Sequence, residues 1–162
     1  MLIKGIKDED FVNYYKPSMF IIFPYCSFKC DLENGCAVCQ NSSLAHEPNI
    51  DITIEEIAKK YKANPITRAI VCGGLEPFDS PTDLLDFVHY FRRIYDIMDD
   101  IVIYTGYTEE ELANNIVFKS LQDYQNVIVK FGRYRPNEAN HFDKILGVNL
   151  ASNNQYAKRL DI

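Results

Sequence analysis

Of the five cysteines in the chain, Cys26, Cys30, Cys36 and Cys39 fall within one fourteen-residue window, and Cys72 stands apart. Thiolates are soft ligands, so such a group suits zinc or an iron–sulfur cluster. The thiols alone leave three metal chemistries open. Four cysteines can close a tetrahedral zinc site, with Cys36-x2-Cys39 as one knuckle. Four can also fully ligate a cluster that only passes electrons. Three can hold a cluster with one iron left open to an external substrate. A disulfide framework fits less well, because the cysteine total is odd.

A second group follows the apolar run Ala69-Ile70-Val71-Cys72, where the chain reads Gly73-Gly74-Leu75-Glu76-Pro77. Paired glycines permit unusual torsions and a close backbone approach, so exposed N–H and C=O groups can meet an amino or carboxylate group. The same pair also serves as a plain turn. It is not a phosphate loop, since the Walker spacing and its Lys-Ser or Lys-Thr ending are missing. Cys72, within the apolar run, reads as a buried free cysteine. His46, His89 and His141 are scattered; His89 falls beside core positions of a helix and reads as structural or solvent-facing.

These groups need a scaffold. A chain of 162 residues, 47% apolar, is expected to form one domain over residues 1–162, with residues 1–18 as an N-terminal arm that holds a short strand at 2–3. The formal net charge of −6 argues against non-specific nucleic-acid binding, which needs basic surface. The opening Met1-Leu2-Ile3-Lys4-Gly5 has no secretory apolar core, and no apolar run is long enough for a bilayer. A cytoplasmic, non-membrane protein is expected, in which disulfides are rare.

Apolar runs predict buried strands at 19–23, 69–72, 101–104 and 127–130. Helices are predicted between them. Thr53 with Glu56 forms a capping box for 53–62, with Pro65 beyond the end. Ser80 and Pro81 open a helix over 81–97, and Thr108 caps one near 109–115. Strands alternating with helices predict an α/β fold, either a partial open (βα) barrel or a small, mainly parallel sheet with helical crossovers. The chain is too short for eight βα units. In such sheets functional groups gather beyond the carboxyl ends of the strands, so Cys39 and Gly74 are expected at the same edge.

Four segments in order resemble the radical S-adenosylmethionine enzymes, and more closely the activating proteins of anaerobic, class III ribonucleotide reductase. They are the cysteine loop ending Cys39-Gln40-Asn41, Gly73-Gly74-Leu75-Glu76-Pro77, Tyr104-Thr105-Gly106-Tyr107-Thr108, and Gly147 through Ala151-Ser152-Asn153-Asn154-Gln155. The resemblance spans about residues 20–155. It implies a [4Fe-4S] cluster and S-adenosylmethionine as cofactors, with reductive cleavage to methionine and a 5′-deoxyadenosyl radical. That radical would take hydrogen from a glycine of the large reductase subunit, with flavodoxin or ferredoxin as electron donor. It also implies that Gly73, Gly74 and Glu76 flank the methionine amino group, Val38 lies against adenine, and Thr105 or Tyr107 lines the nucleoside.

The chain departs from that family in two places. A CxxxCxxC loop is interrupted, so that Cys26 and Cys39 map readily while the middle ligand is either Cys30 or Cys36. The compact Cys36-Ala37-Val38-Cys39 turn favours Cys36, with Cys30 spare or a fourth, resting-state ligand. The family's Asp-Gly pair near the fourth strand is replaced by Lys130 with Gly132, and Arg133 reads as a surface or partner contact.

Overall fold

The structure, a computed structural model, describes residues 1–160. Its centre is a six-stranded sheet whose strands lie in the order Tyr156–Arg159, Val127–Phe131, Asp100–Tyr104, Ala69–Gly73, Ser18–Ile22 and Gly5–Asp10. The four inner strands are β3 (Ser18–Ile22), β5 (Ala69–Gly73), β6 (Asp100–Tyr104) and β7 (Val127–Phe131), and they pair in parallel. Each is nearly continuous apolar sequence, as strands covered on both faces require. The edges are antiparallel: β2 (Gly5–Asp10) along β3 and β10 (Tyr156–Arg159) along β7. The fold is therefore α/β with a mixed, largely parallel sheet. The N-terminal stretch, expected as an arm, holds the strand foreseen at β1 (Leu2–Ile3) and also supplies an edge of the main sheet. β1 pairs with β4 (Ile50–Asp51), and β8 (His141–Asp143) pairs with β9 (Val148–Leu150).

The helices are α1 (Lys29–Asn34), α2 (Ile54–Ala63), α3 (Pro81–His89), α4 (Glu109–Leu112) and α5 (Ile116–Leu121). The apolar stripes of α2 to α5 pack with Ile70, Cys72, Ile101, Ile103, Val127 and Val129 in one core. The alternate residues Ala69, Val71, Val102 and Ile128 form a second core with Tyr14, Leu146 and Leu150. Period-two alternation thus gives one face to helices and the other to the 11–16 loop and the β8–β9 hairpin.

Both capping boxes form: Thr53 with Glu56 and Thr108 with Glu111. Ser80, expected to cap α3, does not. Its torsions (φ −124°, ψ 61°) leave the extended region an N-cap side chain needs, and its Oγ is buried without a hydrogen-bond partner. The helix expected over 81–97 widens into a π turn at Tyr90–Ile94. That expected at 109–115 ends early because Asn115 caps a new helix, accepting the Phe118 N–H. Among the described residues no helix is long and apolar enough to cross a membrane.

Candidate metal centre and ligand cavity

Beyond the carboxyl ends of β5, β6 and β7 lies a cavity of about 360 Å³. Cys26, Cys30 and Cys39 line it together with Gly74, Glu76, Thr105, Gly106 and Lys130. Cys39 and Gly74 therefore share one end of the sheet, as expected. Cys36 is exposed and is not part of the wall; its nearest polar contact is the Asn34 carbonyl, 3.6 Å from Sγ.

The local sequence explains this division. Phe28 adopts left-handed torsions (φ 51°) and starts α1, which carries Cys30 in its first turn. Gly35 (φ 68°) ends that helix in the left-handed conformation that costs glycine least. The chain reverses there with Cys36 on the outside. Asp31 then draws the last cysteine back, since one carboxylate oxygen accepts the N–H groups of Val38 (2.8 Å) and Cys39 (2.9 Å).

Burial pushes the Cys26 thiol up to about 12 and raises that of Cys30, and the Cys39 thiolate adds to both shifts. Metal binding must displace those protons, so loading strengthens as pH rises. Among the described residues no three His, Cys, Asp or Glu side chains converge as a site for a single metal ion. The three thiols instead border a shared space.

Hydrogen bonds tie the cysteine loop to the strand ends. Asp79 accepts the Ser27 N–H (2.6 Å) and the Tyr107 hydroxyl (2.7 Å), while the Tyr25 carbonyl accepts the Glu76 N–H (2.8 Å). Glu33 on α1 pairs with Arg133 (3.3 Å) and Arg135 (3.0 Å), and Arg133 also reaches Glu111 at 2.6 Å. Arg133, read from sequence as a surface group, is mostly buried in this network.

Of the sequence-derived ligand contacts, Gly74, Glu76 and Thr105 line the cavity, whereas Gly73, Val38 and Tyr107 do not. Gly73 completes β5, and the Tyr107 hydroxyl is directed to Asp79. From the C-terminal segment, Ala151 and Gln155 line the cavity. Asn154 donates to the Arg133 carbonyl (2.8 Å) and Gln155 to that of Gly132 (3.2 Å). Lys130 and Tyr104 were not singled out as wall residues. A lysine within Val127-Ile128-Val129-Lys130-Phe131 was the available signal, because alternation puts it on the Ile128 face.

Glu76 is the buried acid of the site. One carboxylate oxygen accepts the Gly106 N–H (2.8 Å), and the other accepts the Phe78 N–H (3.1 Å). Burial outweighs these bonds and raises its carboxyl to about 7. Between the ordinary glutamate value and about 7, the folded state therefore holds a proton that the unfolded state has lost. Stability of the metal-free protein should fall as pH rises through this window. Urea unfolding from pH 4.5 to 7.5 checks it: Glu76→Gln should remove most of the decline, and parallel wild-type and variant curves would refute the assignment.

Residues 18–156, from β3 into β10, match a protein family described as a 4Fe-4S single cluster domain. No curated protein matches the chain.

Proposed function

Because the chain belongs to the 4Fe-4S single cluster domain family, we propose that Cys26, Cys30 and Cys39 hold a [4Fe-4S] cluster with one iron left open, and that the protein is a radical S-adenosylmethionine enzyme. The observation that carries this reading is the sharing of one cavity by three thiols and the Gly74–Gly106 strand ends, with the fourth loop cysteine outside. When bound, the cluster supplies the electron that cleaves S-adenosylmethionine to methionine and a 5′-deoxyadenosyl radical. The chain supplies position and exclusion of water. Gly74 offers backbone to the ligand, and Glu76 presents a fixed carboxyl to its amino group. Thr105 and Gly106 border the nucleoside. Phe20 and Tyr104 give the cavity an apolar wall that keeps water out.

The ordered resemblance adds the target, a glycine of the large anaerobic reductase subunit, and a flavodoxin or ferredoxin donor. The family match itself extends to an iron–sulfur domain. A plainer reading, an iron–sulfur interaction protein without catalysis, is the one that match backs better.

Anaerobic reconstitution separates the two. The proposal expects roughly four iron and four labile sulfide per chain and reductant-dependent formation of 5′-deoxyadenosine. A full cluster with no cleavage supports the interaction protein, and one zinc without sulfide refutes both. Addition of the large reductase subunit should then give a glycyl-radical signal. Cleavage without that signal points to another target.

A further inference from the structure

Lys130, the penultimate residue of β7, lies opposite Tyr104 in the register of β6 and β7 and is only 6% exposed. An ammonium has three N–H donors. Here one is directed to the Gly132 carbonyl at 2.8 Å. No ion pair among the described residues includes Lys130. The Tyr104 ring lies beside it, 5.8 Å from ring centre to Nζ, and is held by its own hydroxyl on the Asn13 carbonyl. Burial lowers the lysine to about 8, with Glu76 and Cys30 acting in the other direction. A buried cation without a counter-ion is costly, so the remaining donors call for an anion.

Glu76 lines the same cavity, and its oxygens are engaged by Gly106 and Phe78. One cavity thus presents a carboxyl and an ammonium that do not touch. An α-amino acid head group is complementary, with an amino group able to donate to the Glu76 carboxyl and a carboxylate able to accept the free lysine donors.

We infer that Lys130 binds the carboxylate of an amino-acid-bearing ligand in this cavity, an assignment that rests on the S-adenosylmethionine reading above. It concerns the position where the resembling activators have an Asp-Gly pair and this chain has lysine. The competing anion is the cluster with its thiolates, since Cys30 is nearby.

The test uses the full chain, anaerobically reconstituted, with Lys130→Met and Lys130→Gln. Removing the ammonium leaves the Gly132 carbonyl bonded to Gln155, so no buried acceptor is orphaned. Thermal melts and iron content identify which variant is folded and loaded. Equilibrium dialysis then compares S-adenosylmethionine with its decarboxylated form, which keeps the amino group and the nucleoside.

Wild type should bind the carboxylate-bearing ligand at least about tenfold more tightly, a difference near 1.4 kcal/mol. The variants should lose that preference and bind the decarboxylated form as wild type does. If wild type binds S-adenosylmethionine but the variants keep the preference, the assignment is overturned and the broader reading stands. A shift in cluster midpoint potential with the preference retained assigns Lys130 to the cluster instead. Wild type that binds neither ligand overturns the broader reading and this assignment with it.

Discussion

Serine at Cys26, Cys30 or Cys39 is expected to reduce iron and labile sulfide to near background and abolish 5′-deoxyadenosine formation, whereas Cys36→Ser should retain both. The three thiols line the cavity, and Cys36 is outside it. Burial raises the Cys26 and Cys30 thiols, so a serine at either removes a thiol that the cavity wall holds. Losing a direct ligand should weaken metal binding by more than about 100-fold, because outer-shell changes alone cost roughly 10–100-fold. The comparison requires all four single variants, assayed for iron, sulfide and cleavage after identical reconstitution. A loaded Cys30 variant beside an empty Cys36 variant would restore the choice favoured by sequence spacing. It would also require the α1 segment to turn over on cluster binding.

Gly74→Val should destabilise the metal-free protein by roughly 2–6 kcal/mol, combining a disallowed positive φ with overpacking. Gly74 has φ +85°, and a Cβ built there would lie 2.6 Å from Ile22 Cγ2 on β3. Ile22 is paired in the sheet opposite Gly73, so it cannot move aside without disturbing the parallel ladder. For a chain of this size such a loss corresponds to a fall of roughly 5–20 °C in melting temperature. A glycine turn that only offered its backbone to a ligand would put the crowding on that ligand and weaken cofactor affinity before cluster assembly. The structure places it on the neighbouring strand, so the fold weakens first and both functions follow. Gly35→Ala is the control: Gly35 also has positive φ (68°), but its Cβ would meet nothing within 4 Å. Circular-dichroism melts decide the matter, and a Gly74→Val melt within about 2 °C of wild type would contradict the account.

The parallel core was readable in advance because its information is local. Four short apolar runs could only be satisfied by strands covered on both faces, and the Thr53 and Thr108 capping boxes announced helices between them. The antiparallel edges were harder to read. β2 has the sequence Gly-Ile-Lys-Asp-Glu-Asp and β10 Tyr-Ala-Lys-Arg, and such polar strands belong to a sheet only because a neighbour supplies their hydrogen-bond partners.

By itself the sequence determined that soft thiolate chemistry sits after one buried strand and a glycine turn after the next. It also determined that both belong at the carboxyl edge of a mainly parallel sheet. Only the tertiary structure showed which of the loop cysteines line the cavity. Spacing favoured Cys36, but the helical turn at Lys29–Asn34, the left-handed Gly35 and the Asp31 carboxylate bring Cys30 and Cys39 inward and leave Cys36 outside. The lysine at 130 was likewise visible as a residue, while its direction came from strand register and its lack of an ion-pair partner from residues distant in sequence. Periodicity and caps are properties of neighbouring residues. The meeting of groups a hundred residues apart depends on how the sheet orders its strands and how the loops return across its edge.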